Sequence, residues 1–398
     1  MPAVLHHPWR AISFLLCCSL PLSAQATPPT FEQALDAAWQ NLPEQAFLAQ
    51  ENRITRDSSP VWLAAPPSVS LDYQQEDNAS GSPAEWQAAV EFPIARPALI
   101  GSQRAYRNAA HAENNARVNL LHWQLASELQ TWWWDFAANE VSLKRNQQRL
   151  DAVQQQLSWL SLLIKQGERP ASDRLAVQEQ LQTIKNQLLF NNQQKSRLTQ
   201  HWQQLTGLSE LPNNWQFSQR EEQSLESHPL LQTLQARTQQ ADANFRSSES
   251  SRFNPRLSLG VKHTDELNAQ PAADMMQLGI SIDFGHTGYS ARRDAVRQLS
   301  SEHANSIRTR QQLQREREAL RTALPQMKQR WQELSALSEQ AQSQYDGQYQ
   351  AYQRGTLSGF QWLQIQNSIW QLQQQADDAR IQYFRTISQW NQLQGQTL

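Results

Sequence analysis

The stretch Pro67-Ser68-Val69-Ser70-Leu71 has a counterpart 188 residues further along the chain (255 − 67), Pro255-Arg256-Leu257-Ser258-Leu259. The same spacing joins other identical pairs, namely Gly167 with Gly355, Leu175 with Leu363, Gln178 with Gln366, and Gly207 with Gly395. Several coincidences at one spacing indicate a tandem duplication. Each copy is far longer than the roughly 20–50 residues of a solenoid repeat, so the sequence predicts one structural unit used twice.

The composition narrows the class of protein. The chain has 398 residues, a formal net charge of −2 and 39% hydrophobic residues, and its mean hydropathy is −0.70. These values exclude a polytopic helical membrane protein, which needs several apolar runs of about 20 residues. Without a basic excess to neutralise phosphates, a nucleic-acid partner is disfavoured. Only 12 glycines and 18 prolines favour long uninterrupted helices.

The N-terminus has the pattern of a secretory signal peptide. A basic segment precedes the apolar run 11–22, and the small-x-small sequence ending at Ala26 follows it. We expect residues 1–26 to be cleaved off with both cysteines, which leaves no thiol chemistry in the mature chain. A lipid anchor needs a small residue before the modified cysteine, whereas Leu16 precedes Cys17.

The rest of the chain divides into a first repeat over residues 27–207, a linker over 208–227 and a second repeat over 228–398. In each repeat we expect a helix, two strands, a very long helix, a tight turn and a returning helix. Thr30 and Gln33 form a capping-box pattern. They predict a first helix that runs from there to about Asp57.

Strict alternation of apolar and polar residues predicts four strands with one apolar face each. The apolar positions are Val69, Leu71, Tyr73, Trp86, Val90, Phe92, Leu257, Leu259, Val261, Leu278, Ile280 and Ile282. Between them stand Ser70, Asp72, Glu91, Lys262 and Asp283, which would face a lumen. A soluble sandwich is the alternative. Four strands cannot close a wide barrel, so a membrane role requires several chains in one barrel.

Two segments, Ser102–Gln166 and Ser290–Arg354, predict helices of roughly 100 Å, the second kinked at Pro325. Apolar residues in steps of three and four predict coiled-coil packing of these helices with the returning ones. The triplet Trp132-Trp133-Trp134 cannot all face one seam, and we expect it to pack between helices of neighbouring chains. The fold class is therefore mainly α, with long helical hairpins and a small β part.

The turns between the long and returning helices carry a repeated motif. It reads Gly167-Glu168-Arg169-Pro170-Ala171-Ser172-Asp173-Arg174-Leu175 in the first copy and Gly355-Thr356-Leu357-Ser358-Gly359-Phe360-Gln361-Trp362-Leu363 in the second. Together with the duplicated strands and helices, it resembles the TolC-type outer-membrane efflux proteins. Within them the chain is most similar to the heavy-metal-efflux branch. The resemblance covers nearly the whole mature chain.

The resemblance implies a homotrimer in the outer membrane of a Gram-negative cell. Three chains would combine into a twelve-stranded barrel in the lipid and an α-barrel across the periplasm. A periplasmic adaptor and an inner-membrane pump would be the partners, and the trimer itself would be a passive conduit for metal ions or small molecules. The alternative function is a periplasmic coiled-coil adaptor or a structural protein of an envelope assembly.

The resemblance also assigns roles to residues of the turns. Contact with the adaptor is expected at Gly167, Arg169, Leu175, Gly355, Ser358 and Leu363. Some family members place acidic residues in the second turn, forming carboxylate rings that constrict the closed pore. The matching positions here are Gln361 and Gln364, whereas the first turn keeps Asp173. A gate built by these three residues is one hypothesis; the other is that Asp173 only supports a helix start.

Signatures of catalysis are absent from the sequence, which has no HExxH, no GxSxG, no phosphate-binding glycine loop and no cysteine cluster. We therefore expect no enzyme activity, no cofactor and no metal site. The nature of the exported cargo does not follow from the residues, because selection in such assemblies lies with the pump.

Overall fold

A computed structural model describes residues 28–56, 62–75, 84–250, 255–266, 271–282 and 289–396. The elements in chain order are α1 (Phe31–Gln40), α2 (Glu44–Arg56), β1 (Ser68–Gln74), β2 (Glu85–Pro93), α3 (Pro97–Lys165), α4 (Ala171–Thr206), α5 (Pro229–Ser250), β3 (Pro255–Thr264), β4 (Ala273–Ile282), α6 (Tyr289–Gln353) and α7 (Gly359–Leu393). The expected signal peptide and Asp283 lie outside the described residues.

The first helix begins as predicted but is shorter than predicted. Thr30 and Gln33 form the expected capping box, with the Gln33 N–H donating to Thr30 Oγ1 at 3.2 Å. The expectation of one helix to about Asp57 is wrong, since the chain breaks between α1 and α2. Pro43 lacks an N–H and disfavours helical geometry in the residue before it. The Asn41 side chain fixes the break by donating to the Gln204 carbonyl at 2.8 Å.

The two very long helices are confirmed: α3 has 69 residues and α6 has 65. Helix α3 begins five residues earlier than expected, at Pro97, because proline suits the first position of a helix. Helix α6 continues through Pro325. None of the helices in the described part of the chain is long and apolar enough to span a membrane.

The coiled-coil seam between α3 and α4 is apolar with paired polar interruptions. Its most deeply buried residues are Val153, Leu160, Val177 and Ile184. Two polar residues fall on the same seam, and each has a partner on α3. Asn191 donates to Ser142 Oγ at 2.8 Å, and Lys195 pairs with Glu140 at 2.9 Å. Helices α6 and α7 pack in the same way, and α5 packs against both α3 and α6.

The tryptophan triplet packs inside one chain, which corrects the expectation that it packs between chains. All three side chains are buried because α1, α4, α7 and the segment 208–224 surround α3 at this level. Trp132 lies 4.5 Å from Trp202 between ring centroids, and Trp133 lies 5.2 Å from Trp215. A helix enclosed on every side has no outward face, so three consecutive aromatic residues fit.

His228 stands at the start of the second repeat in an apolar environment. It is fully buried, its ring lies 4.9 Å from that of Trp123, and its Nδ1 accepts from the Leu230 N–H at 3.2 Å. Burial disfavours the charged imidazolium and lowers the pKa of His228 to about 4. The folded chain therefore holds this histidine neutral.

We expect acid to destabilise the fold through His228. Below a pH of about 6.5 the unfolded chain binds a proton that the folded chain refuses until about pH 4. Stability is thus complete above pH 6.5 and falls as the pH drops from 6.5 to 4, by on the order of 3 kcal/mol. Denaturant unfolding at several pH values measures this loss. His228→Phe should flatten the profile in that window, whereas the exposed His303→Gln should leave it unchanged; equal profiles for both variants would contradict the assignment.

Candidate functional site

The four strands form one antiparallel sheet in the order β1-β2-β3-β4, which joins the two repeats through β2 and β3. Its register puts all twelve predicted apolar residues on one face. In one row Val69 pairs with Val90, Val90 with Leu259, and Leu259 with Leu278. Residues paired across an antiparallel ladder share a face. The strand pattern predicted from the sequence is therefore confirmed.

This apolar face is left uncovered by its own chain. Val69 is 77% exposed and Leu278 is 73% exposed. Soluble monomers rarely expose a continuous apolar patch of this kind, and such patches mark contact with protein or membrane. At the end of the β1–β2 pair, Tyr73 packs on Trp86 with ring centroids 4.6 Å apart. Aromatic side chains there suit a boundary between apolar and aqueous surroundings.

The opposite face of the sheet is polar and its charges are paired. Lys262 contacts Glu85 at 2.5 Å, and Arg256 contacts Glu91 at 3.7 Å. Gln87 donates to Gln277 at 3.0 Å. Ser70 and Asp72 lie in the same rows of this face. Mixed, mutually compensated charges give the face no preference for one sign of ion.

Both long helices end in the same glycine turn. Gly167 has φ +79° and Gly355 has φ +80°, a left-handed conformation that favours glycine. After Gly167, the Glu168 N–H donates to the Leu163 carbonyl at 2.9 Å. The second copy repeats this bond 188 residues later, from Thr356 to Ala351 at 3.0 Å. This is the Schellman end of a helix, and it positions the returning helix in each repeat.

The starts of the returning helices differ between the repeats. Ser358 caps α7 in a capping box, and its N–H donates to Gln361 Oε1 at 3.0 Å. Gln361 is thus engaged in its own helix start. In α4 the cap position is Pro170, and Asp173 stands where Gln361 stands in α7. An acidic side chain in a first helical turn is stabilised by the helix dipole.

The two turns of one chain touch each other. The Asp173 carboxylate lies so close to Gly359 that a Cβ atom there would be 2.7 Å from Asp173 Oδ2. Arg169 donates to the Tyr352 carbonyl at 2.7 Å and lies 4.9 Å from the centre of its ring. The sequence analysis missed Tyr352 and Gly359. The small residue Ala171 at the position that matches Gly359 was the available signal.

Contacts between the repeats continue away from the turns. Gln180 on α4 donates to Asn367 on α7 at 2.9 Å. Further up, Arg149 lies 5.5 Å from the Trp370 ring centre, and Arg145 pairs with Asp377 at 2.6 Å. The two helical hairpins of a chain are therefore linked along their length by polar contacts that can be broken one at a time.

The outer surface of the turns keeps exposed apolar side chains. Leu175 is 69% exposed and Phe360 is 77% exposed. Gln364 is also exposed, whereas Leu363 packs partly buried against the α3–α4 seam. Of the expected turn residues, Leu175 is presented outward, while Arg169 and Leu363 hold the hairpins together.

Clusters of three or more histidine, cysteine or acidic side chains that could hold a metal ion do not occur in the described ranges. The sequence matches no protein-family model and no curated protein.

Solved structures with the same fold are outer-membrane channels. CusC, whose structures concern folding and transmembrane channel formation, aligns with a TM-score of 0.74 at 12% identity over 92% of each chain. The outer membrane protein VceC of Vibrio cholerae aligns at 0.73 and 12% identity, over 92% of this chain and 96% of that one. The CmeC outer membrane channel of Campylobacter jejuni aligns at 0.73 and 12% identity, over 99% and 94%. The TolC-type fold predicted from the sequence is confirmed.

Enlarging Gly359 should separate the two turns. Gly359→Val drives a side chain into the Asp173 carboxylate, and overpacking of this kind costs about 1–3 kcal/mol. We expect spin labels at Ser172→Cys and Thr356→Cys to move apart, as measured by electron–electron resonance distances. Adding Asp173→Ala should restore the shorter distance. The matched control Ala171→Val, at the exposed equivalent position, should leave it unchanged; no change with Gly359→Val would refute the contact.

Proposed function

We propose that the chain is one protomer of a homotrimeric channel in the outer membrane. The observation that carries this proposal is the continuous apolar face of the sheet, with Val69 and Leu278 exposed. In the described residues β1 and β4 each pair with one neighbour only. Three such sheets joined edge to edge would make twelve strands, satisfy the free backbone groups and turn the apolar faces to lipid.

In this proposal the long helices form the periplasmic conduit. Helices of 69 and 65 residues would reach roughly 100 Å from the membrane. The channel is passive, an inner-membrane pump supplies the energy, and a periplasmic adaptor docks on the turns. The exposed Leu175 and Phe360 support a protein contact there, because apolar side chains at a helical end gain most from burial. Gly167, Gly355 and Ser358 shape the docking surface.

The alternative, a periplasmic adaptor or structural coiled-coil protein, leaves the apolar sheet face without a partner. A soluble protein would bury this face under a second layer, and the described elements provide none. Metal ions and small molecules both remain within the proposed range of cargo, and the following growth experiment separates them.

Charging the turns should abolish export without loss of trimers. We expect Leu175→Asp with Phe360→Asp to make cells as sensitive as a deletion strain, since an unpaired buried charge opposes docking. Growth is scored on divalent metals beside detergents, dyes and antibiotics. The control Ser172→Asp with Thr356→Asp adds the same charge without removing apolar surface and should grow normally. Sensitivity limited to metals would identify a metal-efflux conduit, and sensitivity to amphiphiles a multidrug one. Resistance in the first variant, with normal trimers, would refute docking at the turns.

We further propose that Asp173 contributes to a gate in the closed pore, with Gln361 and Gln364 beside it. Three carboxylates around one axis repel each other and attract cations. The contact of Asp173 with Gly359 supports this placement, because it couples the carboxylate to the meeting point of the hairpins. Opening would then require the turns to part.

Neutralising the gate should change ion selectivity. In planar bilayers, Asp173→Asn should lose most of the cation preference and of the block by divalent ions. The control Asp346→Asn removes the same charge from an exposed site on α6 and should conduct like the wild type. Unchanged selectivity in Asp173→Asn would leave that residue only its role in starting α4.

A further inference from the structure

A cavity of about 710 Å³ opens beside the tryptophan triplet. Its walls come from α3, α7 and the irregular segment 214–218. Trp133, Trp134, Trp215, Phe217 and Phe384 supply flat apolar surface. Asn214 precedes this segment with φ +55°, a left-handed turn that asparagine tolerates. The size falls in the range of small-molecule sites, about 300–1,000 Å³.

Two hydrogen-bond donors in the cavity wall have no acceptor. The indole N–H groups of Trp133 and Trp134 are buried, and no atom of the described residues accepts from them. Both side chains are only 7% exposed. The nearby indoles behave differently: Trp132 donates to the Leu198 carbonyl at 2.8 Å, and Trp215 donates to the Pro29 carbonyl at 3.1 Å. Buried donors are rarely left unpaired, so these two call for an acceptor from outside the chain.

The charge of the cavity specifies the acceptor. Arg380 lines the cavity and pairs with no carboxylate in the described segments. The other charged lining residue, Asp377, is held by Arg145, with Nε to Oδ2 at 2.6 Å and Nη2 to Oδ1 at 3.3 Å. One cation is therefore left to a ligand. A carboxylate is the group that accepts from two N–H donors and pairs with a guanidinium.

We propose that this cavity binds a small aromatic carboxylate. Its ring lies between the aromatic walls, and its carboxylate accepts from the indole N–H groups and pairs with Arg380. The site is separate from the sheet and from the turns, and it does not depend on the proposed channel function. Because its walls belong to α3, α7 and segment 214–218, an occupant bridges the two repeats.

Calorimetric titration of the purified full chain in detergent with 2-naphthoate tests this proposal. We expect saturable binding, and binding of the neutral 2-naphthamide at least about tenfold weaker because it cannot pair with Arg380. Trp134→Phe keeps the ring and removes one donor, and Arg380→Gln removes the cation. Each should weaken 2-naphthoate binding about tenfold.

The matched control is Trp362→Phe. Its indole N–H also lacks an acceptor in the described residues, but this side chain lies among the tyrosines of the second turn, 5.3 Å from Tyr345. It should bind 2-naphthoate like the wild type. Absence of saturable binding to the wild type, equal binding of the acid and the amide, or unchanged affinity in both Trp134→Phe and Arg380→Gln would overturn the proposal.

Discussion

The rest of the structure depends on one constraint: a four-stranded sheet presents an apolar face that its own chain does not cover. The described helices pack on each other and leave Val69 and Leu278 bare. An antiparallel sheet of this size is stable when its apolar face meets another layer or lipid. Closure into a barrel with other copies solves both the exposed face and the open edges. The long helices then extend away from the plane of the barrel.

The duplication explains how one chain supplies two similar hairpins, and its departures from symmetry locate their contact. The glycine turns at 167 and 355 end their helices with the same bonds. The residues that follow differ, with Pro170 facing Ser358, Ala171 facing Gly359, and Asp173 facing Gln361 across the repeat. These differences let the first turn place a carboxylate against the backbone of the second. Conserved geometry thus builds the hairpins, and divergence builds the contact between them.

Much of the fold follows from local patterns in the sequence. Alternation gave the strands and their shared face, and the absence of glycine and proline gave the long helices. What failed depended on tertiary contacts. The break at Pro43 is stabilised by Asn41 reaching α4, and the burial of the tryptophan triplet needs four elements around α3. The turn contacts of Arg169 also escaped prediction, because Tyr352 lies 183 residues away along the chain.

Disulfide formation between the edge strands of neighbouring chains tests the central claim most directly. The described part of the chain has no cysteine, so Ser70→Cys on β1 can be paired in turn with Met275→Cys, Gln277→Cys or Ser281→Cys on β4. Within one chain two strands separate these edges, and roughly 14 Å forbids a bond. A closed trimer predicts, for the pairing in register, covalent dimers and trimers and nothing larger. Monomers with all three pairings, or a ladder that continues beyond trimers, would contradict a closed three-chain barrel.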